Sequence, residues 1–167
     1  MTTWAAERTI AFLEDQADTD GPFFCCMSVF DPHSPYTNCP AEFEDPLRIT
    51  ELPDVIAANK AFEYRPMAHQ MEHDWGPKVP EPDVLSSWRV GYHAAVALID
   101  KQVGRVLEAL DEQGLAENTV VMFTSDHGDM QMEHQQFYKQ VPLESSAHVP
   151  LIISGKNAAT GWERAAT

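Results

Sequence analysis

Three short polar clusters in this chain hold the residue types that catalysis or ion binding needs. Asp126 and His127, followed by Gly128, offer a carboxylate and an imidazole side by side. That pair can ligate a divalent ion, and the glycine lets the backbone turn tightly behind it. Lys139 lies 13 positions beyond Asp126. An ammonium near a bound ion would hold an anionic oxygen as a point charge. His33, within Asp31-Pro32-His33-Ser34-Pro35-Tyr36, could give a proton to a leaving group near neutral pH. Each also has an ordinary reading: a turn-forming aspartate, a solvated lysine, a loop histidine bonded to backbone. Glu133 and His134 could orient a neighbour or face water. His69 and His73, in His-Gln-Met-Glu-His, have the spacing of two helical metal ligands. Their glutamate is misplaced for the H-E-x-x-H zinc motif, and the surrounding prolines oppose a long helix.

The segments around these clusters must position them. Residues about 3–17 carry Trp4, Ile10, Leu13 and Ala17, which suits a helix packed on one side, and Asp20-Gly21-Pro22 ends it. Phe23 to Phe30 is a continuous apolar run, the pattern of a strand buried on both faces. Cys25, Cys26 and Cys39 form no CxxC pair and read as buried apolar residues. Asp83 is the expected N-cap of a long helix over about 84–113. Its stripe runs through Leu85, Trp88, Tyr92, Val96, Ile99, Val103, Val106 and Leu110, and Gly114 stops it. Thr119 to Thr124 and Val149 to Ile153 read as buried strands. The order implies an α/β fold with a largely parallel sheet flanked by helices. His33 and Asp126-His127 both follow strand ends, where such sheets bind ligands.

Between them, residues about 37–82 are weakly patterned and hold Pro40, Pro46, Pro53, Pro66, Pro77, Pro80 and Pro82. A connection that long is either a functional insert, such as a lid or recognition loop, or a surface excursion. The chain of 167 residues is long enough for one domain. Its 26 acidic and 11 basic residues give a charge of −15, which argues against nucleic acid or an anionic membrane as partner. An anion-binding site would have to be a local positive spot in that field. No apolar run reaches the length of a membrane span, and Met1 to Arg8 lacks the apolar stretch of a secretory leader.

Taken together, three segments resemble the sulfatase family of the alkaline phosphatase superfamily. Asn118–Ile153 is similar to the family's C-terminal signature, Gly91–Leu107 to the helix before it, and Pro22–Tyr36 to its strand and histidine loop. The resemblance implies that Asp126 and His127 ligate a divalent cation, most often calcium, with manganese and zinc as alternatives. It implies that Lys139 bridges a sulfate oxygen and the nucleophile region, and that His33 contacts the ester oxygen and assists its departure. The substrate class would be a small-molecule or sugar sulfate ester, attacked by a hydrated formylglycine; phosphonate monoester hydrolases and related phosphodiesterases share the pattern. The sequence departs from it in several places. The C-x-P/A-x-R motif that carries the formylglycine, and the paired N-terminal aspartates, have no counterpart. Met132 stands where glycine is common, and His148 where arginine is common. The expectation is a partial catalytic domain that alone binds metal weakly and turns nothing over, or a non-catalytic relative that binds a sulfated ligand or partner.

Overall fold

The computed structural model describes residues 1–48, 51–56, 80–139 and 141–156. His69 and His73 lie outside these residues. Helix α1 spans Thr2–Gln16 and buries Thr2, Ala6 and Leu13, spaced to share one face. Helix α2, Ala41–Arg48, falls in the segment read from sequence as weakly patterned. Helix α3 is Pro82–Glu112, and both α1 and α2 pack against it.

The ends of α3 follow local chemistry. Proline fits the first helical position, where its missing N–H is no loss, and it forces the residue before it to be extended. Glu81 is accordingly the N-cap, with ψ 145°, and Asp83 sits in the first turn instead of capping it. At the other end Gly114 takes φ +69°, the left-handed conformation glycine adopts without Cβ strain. Its N–H donates to the Asp111 carbonyl at 2.9 Å and that of Leu115 to Leu110 at 3.0 Å, the paired bonds of a Schellman stop. The residues most buried on α3 are Val90, Gly91, Ala94, Gln102, Ala109 and Leu110. Of the expected stripe Leu110 is among them, Leu85, Trp88, Tyr92, Ile99, Val103 and Val106 are half-buried, and Val96 is exposed. Half of them are small, and at Gly91 the missing side chain lets the Tyr36 backbone come close.

Strands β1, Val121–Thr124, and β2, Leu151–Ser154, form a two-stranded antiparallel ladder with Val121 opposite Ser154 and Thr124 opposite Leu151. Among the described residues this is the one sheet, so the largely parallel sheet expected from sequence is not what these two strands make. Their burial differs too: Val120, Met122, Leu151, Ile152 and Ile153 are exposed. The Phe23–Phe30 run forms no strand among the described residues, and Phe24 is 90% exposed. Cys25 and Cys26 are exposed and Cys39 is half-buried, against the expectation of core cysteines. An apolar run records what a strand would bury; burial itself needs a neighbouring layer, and none lies over these segments among the described residues.

One half-buried group makes stability depend on pH. Burial, with Arg89 nearby, holds His93 on α3 below the ordinary histidine range. The unfolded chain therefore takes up a proton at higher pH than the folded one, so stability falls as pH drops through the ordinary value near about 6.5. His93→Gln is expected to flatten that part of the profile. Urea midpoints at pH 7.5 and 5.5 check it: equal falls in both proteins would remove His93 as the cause.

Candidate functional site

Strand β1 ends at Thr124 and delivers Asp126 and His127 into a tight turn. The Ser125 hydroxyl donates to the His127 carbonyl at 2.7 Å, and the His127 N–H donates to Asp126 Oδ1 at 3.0 Å. His127 Nδ1 lies 2.8 Å from the Gly128 carbonyl. A carbonyl only accepts, so Nδ1 carries the hydrogen and Nε2 presents its lone pair. That Nε2 is 3.4 Å from Asp126 Oδ2. Two neighbouring ligands at about 2.3–2.6 Å from one hard cation stand about 3.3–3.7 Å apart, so the pair has the spacing of adjacent ligands. The Asp126 side chain is 83% exposed, which leaves its oxygens accessible. Desolvation pushes its carboxyl up, but His127, backbone N–H groups and Lys139 together outweigh it and hold the group below the usual carboxylate range.

Gly128 locks this turn to the chain beyond it. Its N–H donates to the Ser146 carbonyl at 2.8 Å, and a Cβ there would lie 2.0 Å from the Ser145 carbonyl oxygen. Ser145 in turn donates its hydroxyl to Glu133. The intervening loop holds four non-glycine residues at positive φ: Gln131, Met132, His134 and Tyr138. Such strain persists where surrounding contacts over-determine it, and it gathers at functional loops. Met132 stands at φ +69°, a conformation that glycine adopts without strain; the residue is 4% exposed, so burial offsets the strain. His148 pairs with Glu144 on the surface.

The loop returns Lys139 to the His33 segment, whose Asp31-Pro32 and Ser34-Pro35 bonds are cis. The Lys139 ammonium lies 3.0 Å from His33 Nε2. His33 Nδ1 faces the Ser34 carbonyl at 2.9 Å, so Nδ1 bears the hydrogen and Nε2 accepts from Lys139. Phe30 lies against the imidazole, with ring centres 4.5 Å apart. Asp31 accepts the hydroxyl of buried Thr2, which ties the loop to α1. His33 and Lys139, 106 positions apart, are therefore in contact, and the charge of Lys139 reaches Asp126. Among the described residues no group of three or more His, Cys, Asp and Glu side chains encloses a metal position. Asp126 and His127 fit one side of a cation's shell, by donor chemistry and spacing. No helix among the described residues is long and apolar enough to cross a membrane.

Sequence reasoning passed over Tyr36, Asp129 and Gly91. The Tyr36 hydroxyl donates to Asp129 Oδ2 at 2.7 Å, and the Tyr36 backbone rests on Gly91 of α3. The available signals were the tyrosine closing the His33 segment and a glycine inside a helix, which is costly unless something needs the space.

A sequence profile described as Sulfatase matches residues 2–164. The chain is 34% identical over 152 residues to an arylsulfatase of Clostridium perfringens, covering 91% of this chain and 31% of that protein. It is 34% identical over 171 residues to human iduronate 2-sulfatase, covering 92% of this chain and 30% of that protein. Among solved structures, a phosphonate monoester hydrolase of Agrobacterium radiobacter superposes with a TM-score of 0.71 at 26% identity, over 89% of this chain and 32% of that one. The chain thus spans roughly a third of the length of these relatives, and its helix-and-strand framework is that of the sulfatases and their phosphonate-cleaving kin. With a family match running almost end to end over the strand-end Asp126-His127 turn and the His33–Lys139 contact, this chain belongs to the sulfatase family.

Proposed function

We propose that this chain supplies one side of a sulfuric ester hydrolase site: the leaving-group histidine, the oxyanion lysine and two cation ligands. The contact of Lys139 with His33 at 3.0 Å carries the reading, because it joins two distant segments beside the Asp126-His127 turn. Lys139 would hold a sulfuryl oxygen and stabilise the charge that grows on it. His33, its tautomer fixed by Ser34, would turn Nε2 to the ester oxygen and, when protonated, release that proton to the departing group. Asp126 and His127 would hold a divalent cation, calcium in the first place, whose chemistry is to polarise the sulfuryl oxygens. The formylglycine nucleophile would have to come from outside this sequence, which lacks the C-x-P/A-x-R motif.

Substrate choice is assigned to the 37–82 segment. A cavity of about 500 Å³ opens between residues 47–55 of that segment and the start of α3, lined by Leu47, Arg48, Asp54, Leu85, Ser86 and Arg89 among others. A lining of charged, hydroxyl and apolar side chains suits a substrate with both polar groups and an apolar face, such as a sugar sulfate ester. A phosphonate or phosphate ester is the second reading, favoured by the likeness to the Agrobacterium radiobacter enzyme.

The test is a chimaera in which residues 2–164 replace the matching third of the Clostridium perfringens arylsulfatase. Hydrolysis of an aryl sulfate faster than an aryl phosphonate supports the first reading, the reverse order supports the second, and a folded chimaera inert to both defeats each. The isolated chain should bind calcium only in the millimolar range, because calcium takes about six to eight oxygens and two protein ligands leave most of its shell to water. It should hydrolyse nothing, and a chelator should leave its melting temperature unchanged. Micromolar calcium binding, or turnover by the isolated chain, would contradict this.

A further inference from the structure

The His33 loop and the Asp126–Lys139 loop come from opposite ends of the sequence, and something must set their spacing. The His33–Lys139 pair cannot do so alone. It joins a long lysine side chain to an imidazole, both half-buried, and a bond of that kind contributes little when it must also order the lysine. Thr2 and Asp31 fix the base of the His33 loop to α1, not to the opposite loop. The Tyr36–Asp129 bond does cross between them. Tyr36 is 9% exposed, its hydroxyl meets Asp129 Oδ2 at 2.7 Å, and its ring lies edge-on to Tyr92 of α3. Asp129 Oδ1 accepts the backbone and side-chain N–H groups of Gln131 at 3.0 and 2.9 Å. Both carboxylate oxygens are thereby engaged, which orients Asp129 toward Tyr36 and away from service as a third cation ligand three residues after Asp126.

We propose that Tyr36 and Asp129 are positioning residues whose bond, seated on Gly91, holds the His33 loop at the distance that lets His33 meet Lys139. Burial, with the bond to Asp129, pushes the Tyr36 phenol well above its ordinary value, so it remains a donor wherever the protein is folded. The proposal rests on the reading of His33 and Lys139 as the ester-contacting pair, and the experiment separates the two.

In the free chain, a nuclear Overhauser cross-peak between the His33 ring and the Lys139 side chain reports their contact without substrate or cation. The wild-type protein should show it, and Tyr36→Phe should lose it. Asp129→Ala should lose it too, whereas Asp129→Asn should keep it. The asparagine carbonyl can accept from Gln131 while its amide donates to the phenol oxygen, so a conservative variant rescues the contact. That pattern is not what general loosening would give. A cross-peak of wild-type strength in Tyr36→Phe and Asp129→Ala, or none in the wild type, overturns the proposal. Should Tyr36→Phe fail to fold by circular dichroism, the contrast between Asp129→Ala and Asp129→Asn decides alone. Inorganic sulfate is then added to the wild type: if the cross-peaks behave as described but sulfate leaves the His33 and Lys139 signals unmoved, the strap stands and the assignment of the site falls.

Discussion

Gly91→Ala lowers the stability of this chain by about 3 kcal/mol, the upper end of the usual overpacking range, or more. Inside a helix the same exchange normally gains, since alanine is better than glycine by about 0.8–1.0 kcal/mol. Here the sign reverses. A Cβ on Gly91 would lie 1.9 Å from the Tyr36 carbonyl oxygen and 2.9 Å from its carbon. Those are backbone atoms, so no side-chain rotation relieves the clash. Either the helix or the His33 loop must move, and with it the hydroxyl of Tyr36 leaves Asp129. Gly104, on the same helix, has open space where its Cβ would go. Gly104→Ala should therefore stabilise by roughly the propensity difference of about 0.8–1.0 kcal/mol. Urea denaturation of both variants beside the parent gives the comparison. Two stabilising substitutions would mean that the loop does not rest on the helix as described.

In the chimaera with the clostridial arylsulfatase, Lys139→Ala should reduce kcat/KM for an aryl sulfate by about 10²–10³-fold, the cost of removing one preorganised donor to a developing oxyanion. Lys139→Arg should restore only part of it, because the planar guanidinium cannot place a compact charge in the same spot. The effect should fall mainly on kcat, since charge on the sulfuryl oxygens grows toward the transition state. Activity of Lys139→Ala within threefold of the parent would remove the lysine from the chemistry and leave it a neighbour of His33.

Much of the site was readable from sequence because its signals are local. A strand followed by Asp126-His127-Gly128 needs no knowledge of the rest of the chain, and Gly128 proved to be where a Cβ would meet the Ser145 carbonyl. The long helix was also legible, because its apolar period and Gly114 mark it; its cap was misassigned, to Asp83 instead of Glu81, and Val96 of the expected stripe is exposed. What escaped was relational. Tyr36 and Asp129 stand 93 positions apart, and neither alone marks a contact. The apolar run Phe23–Phe30 and the two strands read as buried because composition records an intended environment. Their exposure depends on whether another layer is present, which no local pattern contains.

The four left-handed residues between Gln131 and Tyr138 leave an imprint on how the gene can drift. At Gln131 and His134 glycine and asparagine are the easy replacements, since both adopt positive φ at small cost, whereas valine, isoleucine and threonine set a branched Cβ against their own backbone. Met132 answers to two opposed demands. Glycine would relieve its backbone and empty the space its buried side chain fills, so a change there is easiest when a neighbouring residue grows in the same step. Such paired exchange is the route by which relatives could alternate between a glycine and a methionine at this turn without losing the loop that carries the lysine.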